Sequence, residues 1–188
     1  MRPETLAAAF ALGLLLAILG FIVVASYNAV MSLRQRIDKA AANIDVVLKQ
    51  RHDQLPALVS AVRGLMAFES GVLEDVTRAR AGYSPTEPIP DKAIHSDATT
   101  TAVRSLFAVM EAYPELTSHE NVMELQGSIE RLESMLADRR ELYNDQVYRY
   151  NTRITTFPTM AITPVFGWRP RDFFEAAPDE HRRPDTTL

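Results

Sequence analysis

The chain has 188 residues, with 20 Lys and Arg against 24 Asp and Glu, for a formal net charge of −4. That balance argues against a nucleic-acid binder, which needs a basic face to neutralise phosphates. Zero cysteine excludes disulfides, thiolate nucleophiles and Cys-ligated metals, and among only 7 glycines there is neither a G-x-x-x-x-G-K nor a G-x-G-x-x-G phosphate loop.

Leu6 to Ala25 is a run of twenty residues without a charge. At 1.5 Å rise per residue, about 20 apolar residues cross the roughly 30 Å hydrocarbon core, and a helix satisfies its own backbone there. Gly13 and Gly20 stand seven apart, so they form no G-x-x-x-G dimer motif. A cleavable signal peptide with Val23-Val24-Ala25 at its cleavage site is the competing reading. The apolar core is longer than the usual 7–15 residues, which favours a retained anchor over residues 1–26. Arg34, Arg36 and Lys39 follow the run, against Arg2 and the amine before it. The positive-inside rule therefore leans towards a cytoplasmic C-terminal domain.

Beyond the anchor the apolar positions take a helical rhythm. Ile37, Ala41, Ile44, Leu48, Arg51, Leu55, Leu58, Val62, Leu65, Glu69, Val72, Val76 and Ala79 alternate steps of four and three. That is an a/d heptad seam of coiled-coil type, broken only by Arg51 and Glu69. Those two read as a partner contact or as snorkelling side chains. Pro56 predicts a kink, or two helices meeting end to end, because its ring disrupts the bond to residue 52. Gly64 inside the helix would permit close helix approach. The helical signal stops at Gly82, and Pro85, Pro88 and Pro90 predict a loop.

Ser96 or Asp97 is expected to cap a short helix carrying Val103, Leu106, Phe107 and Met110, which Tyr113-Pro114 ends. Thr117-Ser118-His119-Glu120 reads as a capping box. A second seam follows: Val122, Leu125, Ile129, Leu132, Leu136, Arg139, Tyr143, Val147, Tyr150, Ile154 and Phe157. Each amphipathic stripe has to be buried against something, and the two seams are obvious antiparallel partners. The predicted fold is all-α: an N-terminal transmembrane helix, then an elongated antiparallel helical bundle over 27–175, with a disordered tail over 176–188. About 40 residues per long helix make a rod on the order of 60 Å.

If the second long helix runs back along the first, its end approaches the bilayer. The segment that follows carries Met160, Ile162, Val165, Phe166, Trp168, Phe173 and Phe174, with Arg169 and Arg171 between. Such a composition suits the membrane interface. The competing reading is that these aromatics cap the open end of the bundle core. Tyr143-Asn144 and Tyr150-Asn151 are one heptad apart and share a helix face. Asn144 and Asn151 are read as register-setting polar residues on the seam, with a ligand site as the lesser alternative.

No cluster demands catalysis. His52, His95, His119 and His181 are scattered, and none belongs to an H-E-x-x-H or to the paired Glu-x-x-His of a di-iron bundle. Glu111, Glu115, Glu120 and Glu124 surround a turn, where carboxylates meet helix dipoles favourably. No catalytic residue, metal or cofactor is expected.

Several strings together resemble the LemA family of bacterial membrane proteins. They are Tyr27-Asn28, Ile44-Asp45-Val46, the run from Leu48 to Pro56, and Glu111-Ala112-Tyr113-Pro114-Glu115-Leu116. To these are added Tyr143-Asn144, Tyr150-Asn151, Phe157-Pro158, and Phe166-Gly167-Trp168-Arg169-Pro170 ahead of Phe173-Phe174. Their order and spacing match from about Tyr27 to Glu175. His119 ahead of Glu120-Asn121 is a mild departure. The resemblance implies an antiparallel helical bundle on an N-terminal transmembrane helix, and no enzymatic mechanism. The resulting expectation is a single-pass scaffold or adaptor in the bacterial cytoplasmic (inner) membrane. Its partners would be the lipid bilayer and other membrane or envelope proteins, with a homo-oligomer also open and no nucleic acid. A signal-responsive envelope sensor, moving at Pro56 or the proline-rich loop, and a membrane-proximal hydrolase are the alternatives.

Overall fold

A computed structural model describes residues 3–63, 70–117 and 119–175. Helices α1 (Pro3–Arg63), α2 (Ser70–Ala81), α3 (Ile89–Met110), α4 (Pro114–Thr117), α5 (Glu120–Thr155) and α6 (Thr159–Phe166) account for most of the described residues, without a strand among them. The fold is all-α, as the heptad spacing predicts. The described residues fall into two compact units. One comprises 3–39 and 145–171, the other 40–63, 70–117, 119–144 and 172–175.

The first unit begins with the apolar run, whose large side chains from Leu6 to Val24 are exposed except for half-buried Ile22. Burial starts at Ser26 and continues at Val30 and Ile37, and on α5 at Val147, Tyr150 and Ile154. α6 follows α5 after a cis Phe157–Pro158 bond. Its Thr163 hydroxyl donates to the Ile154 carbonyl at 2.8 Å. α6 ends in a Schellman turn: Trp168 N–H bonds the Thr163 carbonyl and Gly167 N–H the Pro164 carbonyl. Gly167 sits at φ 63°, which explains why Phe166 and Trp168 flank a glycine.

The second unit is a helical bundle. Ile44, Leu48, Leu55, Leu58 and Val62 of the first seam are buried, as are Val122, Ile129, Leu132, Leu136 and Tyr143 of the second. Arg51 bonds Glu133 and Gln54 bonds Ser128, so α1 and α5 run antiparallel. Arg51 also meets Ser96 and Thr100, and Lys92 meets Asp45, so α3 runs parallel to α1. α2 folds back along α1 and packs on α3.

Several expected boundaries are corrected. α1 is helical on both sides of Pro56 and is described to Arg63; Arg80 of α2 reaches back to His52, so α2 does not continue the line of α1 to Gly82. In α2 the buried positions are Leu73 and Val76, while Val72 is half-buried, because this stripe faces α3 rather than prolonging the α1 seam. Pro56 has no N–H for the His52 carbonyl, and that carbonyl accepts the Arg80 Nε–H at 2.8 Å instead. A side chain from α2 thus re-satisfies the acceptor that proline strands.

α3 starts at Ile89, well before the expected Ser96 or Asp97 cap. Proline is tolerated in a first turn, where its missing donor would be unpaired anyway. Pro90 therefore begins the helix instead of prolonging the loop. Phe157 lies outside the second seam and is 77% exposed. Gly64, Leu65, Glu69, the Ser118 part of the capping box and the 176–188 tail lie outside the described residues.

Candidate functional site

The seam position that breaks the apolar stripe of α1 is the centre of the bundle's polar chemistry. Arg51 is only 3% exposed, so it is neither a snorkelling side chain nor a surface contact. Its Nη1 donates to Glu133 Oε1 at 2.8 Å and to Thr100 Oγ1 at 2.9 Å. Its Nη2 donates to the Ser96 hydroxyl at 2.9 Å and to the Ser96 carbonyl at 3.3 Å. The Thr100 hydroxyl donates onward to Glu133 Oε2 at 2.7 Å, so both carboxylate oxygens are engaged. Arg140 of α5 donates to Asp97 and to the Ser96 hydroxyl, each at 2.6 Å.

Burial pulls the Arg51 guanidinium below its ordinary pKa, and the Glu133 carboxylate opposes that shift. A guanidinium stays protonated in proteins, so the charge is kept and has to be matched.

A second layer surrounds this core. Lys92, itself buried, pairs with Asp45 at 2.6 Å, and His95 Nδ1 meets Glu87 at 2.8 Å. The His52 ring lies 5.3 Å from the Tyr83 ring. His52, Tyr83 and His95, together with Arg51, Arg80 and Lys92, line a cavity of about 10 Å³. That volume suits roughly one water molecule rather than an organic substrate. Among the described residues no three His, Asp or Glu side chains group as metal ligands would. The cluster is therefore a charge-matched joint between α1, α3 and α5.

The predicted site residues go to different places. Asn151 forms a reciprocal pair with the Arg171 backbone: its Oδ1 accepts the N–H at 2.9 Å and its Nδ2 donates to the carbonyl at 3.0 Å. Asn144 does the same to Phe174, at 2.7 and 3.4 Å. Both amides thus act on the non-helical backbone of the C-terminal segment. Phe174 is buried against Tyr143 and under the Arg140 guanidinium, which stands 4.9 Å from its ring centroid. Trp168 is buried too, stacked on Phe166 at 5.0 Å. Met160, Val165, Phe166 and Phe173 are exposed and Ile162 is half-buried. Ser96, Thr100, Glu133 and Arg140 are absent from the sequence-based site. The only signal was Arg51 on an apolar seam, which calls for an acidic partner without saying where.

The strings that order this C-terminal segment are the ones carrying the family resemblance, and the sequence model of the LemA family matches residues 40–187. The chain belongs to the LemA family. Over a 77-residue stretch it is 31% identical to "Magnetosome protein MamQ 1" and "Magnetosome protein MamQ 2" of Paramagnetospirillum magneticum. It is 27% identical to "Magnetosome protein MamQ" of Magnetospirillum gryphiswaldense over a stretch of the same length. That stretch is 41% of this LemA-family chain and 28% of each relative, so the match spans less than a third of the relatives' length.

Proposed function

We propose that this LemA-family protein is a single-pass, membrane-anchored scaffold or adaptor of the bacterial cell envelope, without catalytic activity of its own. The observation that carries this reading is α1: one unbroken helix contains both the exposed apolar run and the first seam of the bundle core. Such a helix is suited to holding a helical domain at a membrane surface rather than to building an active site. The Arg51 cluster supports the non-catalytic part, because its charges are spent on one another around a space for about one water. Exposed Met135 and Leu142, one heptad apart on α5, supply an apolar contact for a partner protein or a second copy.

Photo-crosslinkers placed at Met135 and Leu142 in the full chain, activated in native membranes, test this. Discrete adducts with another membrane protein or with a second copy are expected. A strictly monomeric, adduct-free protein would overturn the scaffold reading.

The inner membrane, with the bundle on the cytoplasmic side, is the location this reading assigns, on the strength of Arg34, Arg36 and Lys39 just after the apolar run. Because the chain has no cysteine, Ser84→Cys between α2 and α3 reports the side without background. Protection from a membrane-impermeant thiol reagent in intact cells, and labelling after lysis, is expected. Labelling of intact cells would move the bundle to the opposite face.

A further inference from the structure

α6 presents apolar side chains to the outside at one particular height along α1. Val165 is 79% exposed, Met160 55% and Phe166 42%, with Phe157 just ahead of the helix. From Thr155 to Trp168 there is no charged residue, and exposed Arg169 follows immediately. An exposed apolar patch of this kind marks a contact surface.

Its place is fixed by two contacts to α1. The Phe166 and Trp168 rings lie 5.2 and 6.1 Å from Tyr27, two residues past the end of the apolar run at Ala25. Five residues later, Arg171 Nη2 comes within 3.8 Å of Asp38. Asp38 lies eleven helical residues, about 16.5 Å, beyond Tyr27 on α1. After the turn at Gly167, the non-helical segment from Trp168 to Arg171 therefore leads up α1, away from the apolar run. α6 is left at the lower end, level with Tyr27.

We infer that α6 is a membrane foot: Phe157, Met160, Val165 and Phe166 enter the headgroup and upper acyl region, while Arg169 meets anionic headgroups. Tyr27 stands at the interface beside Phe166, and buried Trp168 packs against both rings. The occupant is lipid because this patch is continuous, through Tyr27, with the exposed apolar surface of α1, and because arginine borders it. The earlier alternatives divide between residues: Trp168 is buried against Tyr27 and Phe166, while Val165 and Met160 are exposed.

The inference rests on the reading that α1 spans the bilayer, and the test separates the two. The full chain is reconstituted in vesicles of phosphatidylethanolamine and phosphatidylglycerol, as three single-cysteine variants carrying an environment-sensitive fluorophore. Leu15→Cys reports the span and Val165→Cys the foot. Tyr148→Cys, exposed on α5 and about 20 Å above Tyr27 by helix rise, is the reference. Lipid-borne nitroxides should quench Leu15→Cys and Val165→Cys several-fold more than Tyr148→Cys. Quenching at Leu15 with Val165 no different from Tyr148 overturns the foot and leaves the anchor standing. In that case a disulfide between Val165→Cys chains would make a second copy the occupant. No quenching at Leu15 overturns the anchor, and the foot with it.

Discussion

Arg51→Ala is expected to destabilise the full chain by about 3 kcal/mol, the low end of what removing one member of a buried ion pair costs. The change takes the counter-charge from Glu133, which keeps the Thr100 hydroxyl as a donor, while Ser96 keeps Arg140. The Glu133 side chain keeps 22% of its exposure, so residual water softens the loss. Urea unfolding in detergent, followed by far-ultraviolet circular dichroism, measures it. Arg51→Met combined with Glu133→Leu removes both charges and fills the space, and should return to within about 1 kcal/mol of the parent. If the double variant is as unstable as the single one, lost volume rather than a stranded charge is the cause. A loss under about 1 kcal/mol for Arg51→Ala would show that the cluster does not hold the bundle together.

The second large effect concerns the C-terminal segment. Asn144→Ala and Asn151→Ala each leave a backbone N–H and carbonyl without their partner, at about 1–3 kcal/mol apiece. Aspartate at either position should cost at least as much as alanine. It keeps the acceptor but sets a second oxygen against the Arg171 or Phe174 carbonyl. The readout is trypsin cleavage after Arg171, with about a tenfold faster cut for each 1.4 kcal/mol lost. Unchanged cleavage in the Asn144→Ala, Asn151→Ala double variant would show that the amides do not restrain this segment.

The long helices were legible because their apolar residues repeat every three or four positions. Ile44, Leu55, Ile129 and Val147 are all buried where that repeat puts them. The start of α3 was not, because Pro88-Ile89-Pro90 can equally end a loop or open a helix, and only packing decides. The heptad spacing of Asn144 and Asn151 was visible, but their partner is main chain, which leaves no trace in composition. Arg51 stood out as an intruder on the seam. Its counter-charge lies 82 residues away in sequence, and no local pattern points there. In the aromatic segment, composition alone could not separate buried Trp168 from exposed Val165; the left-handed turn at Gly167 does that.

The 82-residue separation of Arg51 from Glu133 bears on how the protein is made. A ribosome adds about 5–20 residues per second. Arg51 therefore emerges roughly 4–16 s before the carboxylate that matches it, and stays hydrated throughout that interval. The His52 carbonyl waits in the same way for Arg80, 28 residues later. The hydrophobic run at the start of α1 is complete long before either partner arrives. Nascent chains arrested before Glu133 should thus still be cut by protease within α3, and chains arrested well beyond it should resist. The order of synthesis completes the apolar run first and closes the helical domain last.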